Sequence, residues 1–275
     1  MRRLAALAAM SFVLAAPAAA QAPQAAAASQ QALAAALAKP NRDADRARDV
    51  HRKPAETLAF FQIGPDMKVG EYAPGGGWYS RVLGNYMSPK GKLVGLFFTP
   101  EEGVFDEKTR EGIRKGAADF PTKVETWTGR AAAGTQGLTL DTITDADRGT
   151  FDRIIVMRML HNMQRWNFAD SELKAIRSLL KPGGMLGIEQ HRAKESASGD
   201  YANGTKGYLR QKDVIGLVEA MGFELVGTSE ANANPRDTAD HPEGVWEMKP
   251  SWATKRPELE NLGESDRMTL LFRKR

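Results

Sequence analysis

The chain has 275 residues, 42% of them apolar, a formal charge of +4 and no cysteine. That is enough apolar chain for one sizeable core, while the missing thiols exclude disulfides, thiolate metal sites and a cysteine nucleophile. The charge is small, two of its contributors are Arg2 and Arg3, and the basic residues alternate with acids, which argues against a nucleic-acid surface.

Met1-Arg2-Arg3 is a short basic start, Leu4 to Leu14 is an apolar stretch too short to span a bilayer, and Ala18-Ala19-Ala20 offers a small-residue cleavage site before Gln21. The pattern predicts a signal peptide over residues 1–20 and a mature protein that is periplasmic or secreted, with no integral membrane segment. Residues 21–42 read as a linker and N-terminal helix: Gln21 to Gln30 has the alanine, glutamine and proline composition of a tether, and helical patterning starts at Gln31. Pro54 suits the first turn of a helix through Phe61. The main domain is expected over residues 43–275.

From Val69 onward, strand and helix signals alternate. Strand candidates are Lys68 to Tyr72, Lys92 to Phe98, Lys123 to Trp127, Phe151 to Met157 and Met185 to Gln190. A helix starting at an Asp170 N-cap carries Leu173, Ile176, Leu179 and Leu180 on one face and ends at Lys181-Pro182-Gly183-Gly184, and another carries Val214, Leu217, Val218 and Met221 up to Gly222. Such alternation predicts an α/β fold with a mainly parallel sheet covered by helices on both faces. Phe223 to Ser229 and Met268 to Phe272 read as two last strands that pair antiparallel. The long polar connection between them, residues 231–264, reads as a lid over the site.

The most informative stretch runs from Met67 to Ser80. A buried strand ends in Glu71, passes through Gly75-Gly76-Gly77 and enters a helix, which is how a backbone is brought against a nucleotide cofactor. Gly75 and Gly77 supply permissive backbone, and Glu71 an acceptor for hydroxyls or an amino group. Trp78 and Tyr79 either wall the pocket or pack the core.

The chain resembles the class I S-adenosylmethionine-dependent methyltransferases over most of the span from Asp43 to Arg275. The run Val69 to Gly77 is similar to that family's first motif, Phe151 to Val156 to its fourth strand, and Leu180-Lys181-Pro182-Gly183-Gly184 to its turn into strand five. Arg52-Lys53-Pro54, Leu160-His161-Asn162, His191-Arg192 and Ser265-Asp266-Arg267 resemble an often exported bacterial group of predicted methyltransferases. The resemblance implies a Rossmann-like three-layer sandwich with a seven-stranded, mostly parallel sheet, an antiparallel last strand and an N-terminal helical extension. It also implies S-adenosylmethionine as cofactor and transfer of its methyl group to a small-molecule or envelope acceptor.

The expected cofactor contacts are Glu71, Ala73, Gly75, Gly77, Tyr79, Phe97 and Arg158. Phe97 stands where the family commonly has an acid for the adenosine ribose, so either Glu101 or Glu102 reaches back or Phe97 stacks on a base. A general base belongs at the carboxyl ends of strands four and five, where His161 and His191 are the candidates. Glu189, two residues before His191, orients it if the strand stays extended. Asn162, Glu189, Tyr208 and Arg210 are the candidate substrate contacts. The alternatives to transfer are a catalytically inactive binding or regulatory protein of the periplasm and a nicotinamide-dependent oxidoreductase; Phe97 favours the former and disfavours the latter. His51, His161, His191 and His241 are too dispersed for a metal site, and Gly-x-Ser-x-Gly is missing.

Overall fold

A computed structural model describes residues 18–101 and 105–275, with side chains from residue 27 onward. The basic start, the apolar run to Leu14 and Glu102 therefore lie outside the described residues. The sheet consists of β1 (Lys68–Tyr72), β2 (Lys92–Phe97), β3 (Thr135–Thr139), β4 (Phe151–Met157), β5 (Leu180–Ala193), the two-residue β6 (Leu209–Arg210), β7 (Phe223–Ser229) and β8 (Arg267–Lys274). Its order is β3-β2-β1-β4-β5-β8-β7, with β6 paired to the end of β5. Strands β1 to β5 run parallel, and β8 is antiparallel to both β5 and β7.

The helices are α1 (Ala18–Leu37), α2 (Asp49–Arg52), α3 (Pro54–Phe60), α4 (Trp78–Tyr86), α5 (Glu107–Thr128), α6 (Leu160–Arg165), α7 (Ala169–Leu179) and α8 (Gln211–Ala220). Successive strand residues feed opposite layers. Ile154 joins Leu173, Ile176 and Val218 on one face, and Ile155 joins Leu58, Phe61, Val82 and Val124 on the other. Because both faces are covered, β1 is buried from Val69 to Tyr72 and reads as a continuous run rather than an alternation. The chain leaves β1 toward β2 and β3 and later returns to its other side at β4. That reversal is the topological switch point, whose carboxyl-end crevice is where open α/β sheets bind ligands.

Three sequence expectations change. Lys123 to Trp127 is not a strand but the last turns of α5, because Ala117, Phe120 and Val124 repeat at helical spacing and are the buried residues of that helix. Pro121 lies inside it, the Asp106 carboxylate caps its start by accepting from Thr109 N–H, and Gly129 ends it at φ 72°. The third strand is instead the polar edge segment Thr135–Thr139, which pairs only with β2. The tether expected at Gln21 to Gln30 is helical within α1, whose Leu33 and Ala36 are buried. Asp170 is also inside its helix, with Phe168 at the cap position, and Leu180 leaves the helix in extended backbone to begin β5.

Where α5 crosses β3, a Cβ on Gly137 would stand 1.9 Å from the carbonyl oxygen of Ala117. Backbone meets backbone there, so a side chain has no rotamer of escape. Gly137→Ala is expected to lower stability by about 1–3 kcal/mol, read as a lower urea midpoint at unchanged slope.

The connection between β7 and β8 is irregular apart from turns at Gly244–Glu247 and Pro257–Leu259. It is pinned from within: Asn234 Nδ2 donates to the carbonyls of Leu262 and Glu264 at 2.9 and 2.6 Å, and Asn232 Nδ2 to Thr57 and Thr269 at 2.8 and 3.0 Å. Val245, Trp246 and Met248 from this segment reach the crevice at the carboxyl ends of β1, β4 and β5. Among the described residues, no helix is long and apolar enough to cross a membrane, and no cluster of His, Asp and Glu could hold a metal ion.

Candidate functional site

The crevice is a cavity of about 380 Å³, a size suited to one small-molecule ligand. One wall is the β1–α4 turn. Ala73 and Gly75 have left-handed backbone, φ 48° and 56°, and a Cβ at Gly76 would meet nothing within 4 Å, so a ligand can approach this backbone closely. Gly77 serves packing instead. A Cβ there would stand 2.3 Å from the Trp127 ring, so this glycine lets α5 pack beneath the turn. Of the glycine pair singled out in the sequence, Gly75 lines the cavity and Gly77 holds up its floor.

Glu71 lines the cavity at the end of β1, with its residue only 3% exposed. Its carboxyl accepts a 2.6 Å hydrogen bond from Ser80 Oγ, and burial pushes its pKa up to about 8. Nothing cationic touches it closely enough to offset that desolvation. Tyr79, the second residue of α4, is buried and brings its hydroxyl 3.2 Å from Glu189 Oε2.

The facing wall begins at the end of β4. Arg158 is a non-glycine residue at φ 58°, and its strained backbone donates to the Glu189 carbonyl at 2.6 Å. Two non-glycine left-handed residues, Ala73 and Arg158, thus border one cavity from the ends of adjacent strands. Strain of this kind is held where a ligand site requires it.

His161 and Asn162 follow in α6. The His161 ring has Nδ1 3.3 Å from Gln190 Oε1. Gln190 Nε2 donates to the Gly207 carbonyl at 2.9 Å, which fixes its amide orientation and leaves Oε1 as an acceptor toward the histidine. Nδ1 of His161 therefore carries the proton and Nε2 is the bare lone pair. Burial pulls this histidine down to about 4, so it is neutral at physiological pH. His191 stands beside it, ring centres 5.5 Å apart, with Nδ1 2.6 Å from Ser265 Oγ; burial and the neighbouring His161 keep it well below its ordinary value. Asn162 lines the same cavity and has a buried Oδ1 with no partner.

The structure thus gathers Glu71, Ala73, Gly75, Tyr79, Arg158, His161, Asn162 and His191 around one cavity. Other candidates are elsewhere. Phe97 packs edge-on to Phe120, ring centres 6.0 Å apart, and sits over Gly116. Glu189 is fully buried behind the wall, held by Arg158 and Arg267 at 3.0 and 2.7 Å, so it orients arginines rather than His191. Tyr208 donates to Asp237 Oδ2 at 2.9 Å in a satellite core, and Arg210 pairs with Asp213 at 2.6 Å. Glu101 pairs with Arg110 and Arg114.

Residues outside the expected contacts complete the site: Arg48, Lys249, Ser251, Glu264 and Ser265 line it, and Ser80 and Gln190 orient Glu71 and His161. Arg48 and Arg52 lie four apart just ahead of Pro54, a spacing that marks one helical face and is the signal the sequence offers for them.

No family model and no curated protein matches the chain. Solved structures do. The cyclase SpnF has a TM-score of 0.50 at 16% identity, covering 82% of this chain and 80% of that one. A Bacillus halodurans C-125 protein provisionally named a methyltransferase has a TM-score of 0.50 at 16% identity, covering 81% and 99%. A chain from the Haloferax volcanii complex between the Trm112 methyltransferase activator and its provisionally named methyltransferase has a TM-score of 0.51 at 13% identity, covering 88% and 96%. Identities this low show the fold alone, the mostly parallel Rossmann-like sheet of the class I methyltransferases with its antiparallel strand β8. Since one of the three is a cyclase, the reaction has to be argued from the site.

Proposed function

We propose that the cavity binds S-adenosylmethionine and that the chain is an exported methyltransferase acting on a small-molecule or envelope acceptor. The observation that carries this reading is the placement of a buried, partner-poor acid and an open glycine turn on one side of the switch-point cavity, with a neutral histidine on the other. The fit is good at the amino-acid end. Glu71 lacks a close cation, and an ammonium or sulfonium group is what would restore its charge; Gly75 and Gly76 leave room beside it. At the nucleoside end the family's acid is replaced. Phe97 stands in its place and packs on Phe120, and Tyr72 beside the cavity is buried in the core, its hydroxyl donating to Glu172 at 2.6 Å.

When bound, the cofactor supplies an electrophilic methyl group. The protein positions the acceptor and takes up its proton; His161 Nε2 is the available base, and Gln190 holds its ring. Positioning of this kind contributes several kcal/mol to the rate, about 7–11 at most.

A thermal-shift panel tests the reading. S-adenosylmethionine and S-adenosylhomocysteine are expected to stabilise the protein selectively, by about 2.7 kcal/mol at one hundred times Kd, while NAD and NADP leave it unchanged. Indifference to all four favours the second reading, an inactive binding protein, which the position of Phe97 against Phe120 supports. Export is checked by mass spectrometry of the secreted form, expected to begin at Gln21.

Glu71 gives a sharper prediction. Its folded pKa is raised to about 8, so the free protein holds a proton that the unfolded chain releases above 4.5, and its contribution to stability falls as pH rises across that window. A bound cation reverses the preference. Calorimetry at pH 7 in buffers of different ionisation enthalpy is expected to show proton release on cofactor binding, with affinity rising toward pH 8. Glu71→Gln should lose that release and bind about 10–100-fold more weakly, the value of a charge-assisted hydrogen bond; unchanged affinity removes Glu71 from the site.

A further inference from the structure

We propose that the cavity wall formed by Arg48, Arg52 and Arg158 is a subsite for an oxyanion, a carboxylate or phosphate presented by the ligand of this cavity. The inference rests on the reading of the cavity as a ligand site, and it concerns charge that the protein itself leaves uncompensated.

Behind the wall, four guanidinium groups share two carboxylates. Glu264 accepts from Arg48 Nε at 2.7 Å, from Arg52 Nε at 3.2 Å and from Arg267 Nη1 at 3.3 Å. Glu189 Oε1 accepts from Arg267 Nη1 at 2.7 Å and Arg158 Nη1 at 3.0 Å, while its other oxygen takes the Tyr79 hydroxyl. Each acid is therefore fully engaged, and two positive charges remain without a counter-ion. Neither histidine relieves or adds to this, since both are held neutral.

The leftover donors belong to residues that line the cavity. The Arg52 side chain is 5% exposed, yet among the described residues only its Nε is hydrogen-bonded; its guanidinium lies 4.7 Å from the Trp78 ring centre and lines the cavity. Nη2 of Arg48 is buried with no partner. Burial first, and then the nearby Arg158, pull Arg52 down to about 10, and Glu264 and Glu189 offset them only in part. Lys249 adds a further cation to the lining; among the described residues its ion pair is with Glu260, 3.9 Å away.

A buried guanidinium without its anion is destabilising, and a planar fork of N–H donors matches a carboxylate or phosphate edge. Two sources supply such a group: the carboxylate of the cofactor's amino-acid portion and an anionic group on the methyl acceptor.

The test is a thermal-shift titration of the full chain with sodium phosphate against sodium chloride at matched ionic strength, pH 7. Phosphate is expected to raise Tm saturably where chloride does not. Arg52→Gln should abolish the rise. Arg48→Gln should raise the half-saturating concentration at least fivefold; its side chain is 30% exposed with one ion pair, so this variant keeps the comparison usable where the first is destabilised. Equal Tm in both salts, or a wild-type response in both variants, overturns the subsite.

Competition assigns the source. S-adenosylhomocysteine that binds and shifts the phosphate midpoint, where 5′-methylthioadenosine binds without shifting it, places the cofactor's carboxylate there. Both binding without a shift assigns the anion to the acceptor. A phosphate response with no binding of either nucleoside keeps the subsite and refutes the cofactor reading.

Discussion

Replacing Glu189 with glutamine is expected to lower the unfolding free energy by about 3–5 kcal/mol, the cost of breaking a buried ion pair by removing one partner. Glu189 sits mid-sheet on β5, opposite Met157 of β4 and Thr269 of β8, and is fully buried. Glutamine keeps the shape but leaves the buried Arg267 and the mostly buried Arg158 facing a neutral amide. Arg267 retains the His51 carbonyl at 2.6 Å and a 3.3 Å contact to Glu264, which is already shared with two other arginines. The pH dependence follows from the direction of the shift. Burial alone would raise the Glu189 pKa, but Arg267, Arg158 and Arg52 outweigh it and hold the carboxyl below 4.5. The stabilisation is therefore complete above the unfolded value and is lost as pH falls through the folded one. Urea unfolding at pH 7 and at pH 3 checks this: the gap between wild type and variant should be wide at pH 7 and shrink under acid. A gap below about 1 kcal/mol at pH 7, well under the cost of an uncompensated buried charge, would mean that the arginines find compensation elsewhere.

The arginine network also marks where sequence reading stops. β1, β4 and β7 have the bounds that their residues suggest: β1 and β4 are buried parallel strands, apolar runs closed by glycine, proline or acid, and β7 is an antiparallel edge strand whose residues alternate between core and surface. β3 carries Thr135-Gln136-Gly137-Leu138-Thr139, and as a polar edge strand it looks like loop. Pro121 disguises the end of α5, since a proline inside a helix is normally a break. The positions of Glu71, Ala73, Gly75 and His161 at the cavity follow from one rule, that ligands gather at the carboxyl ends beside the switch point. Arg48 and Arg52 obey no such rule. Their anion is Glu264, more than 200 residues away, and only the path of the β7–β8 connection brings it to them. Tyr208 departs from its expected place for a related reason: its phenol is claimed by Asp237, a residue of that same connection. Local pattern locates a backbone; which charges meet across an irregular segment depends on how that segment folds back.

On the proposed reading of the site, substituting alanine for His161 is expected to slow methyl transfer about 10²–10⁴-fold, the usual contribution of a positioned base, with cofactor affinity little changed. Gln190 sets up the base. Because its Nε2 is committed to the Gly207 carbonyl, its Oε1 must accept, and His161 is confined to the tautomer whose Nε2 is bare. Burial then removes the competing imidazolium. With its pKa pulled from 6.5 to about 4, His161 is unprotonated throughout the range from pH 5 to 8, so transfer should show no acid limb near 6.5 and fall only toward pH 4. The same shift has a stability signature. The unfolded chain binds this proton between 6.5 and 4 and the folded one does not, so stability rises with pH across that interval. Following the His161 ring carbon by NMR from pH 3.5 to 8 reads the titration without any acceptor in hand. A midpoint near 6.5 would show an imidazole open to solvent and would overturn the buried, neutral setting assigned to His161.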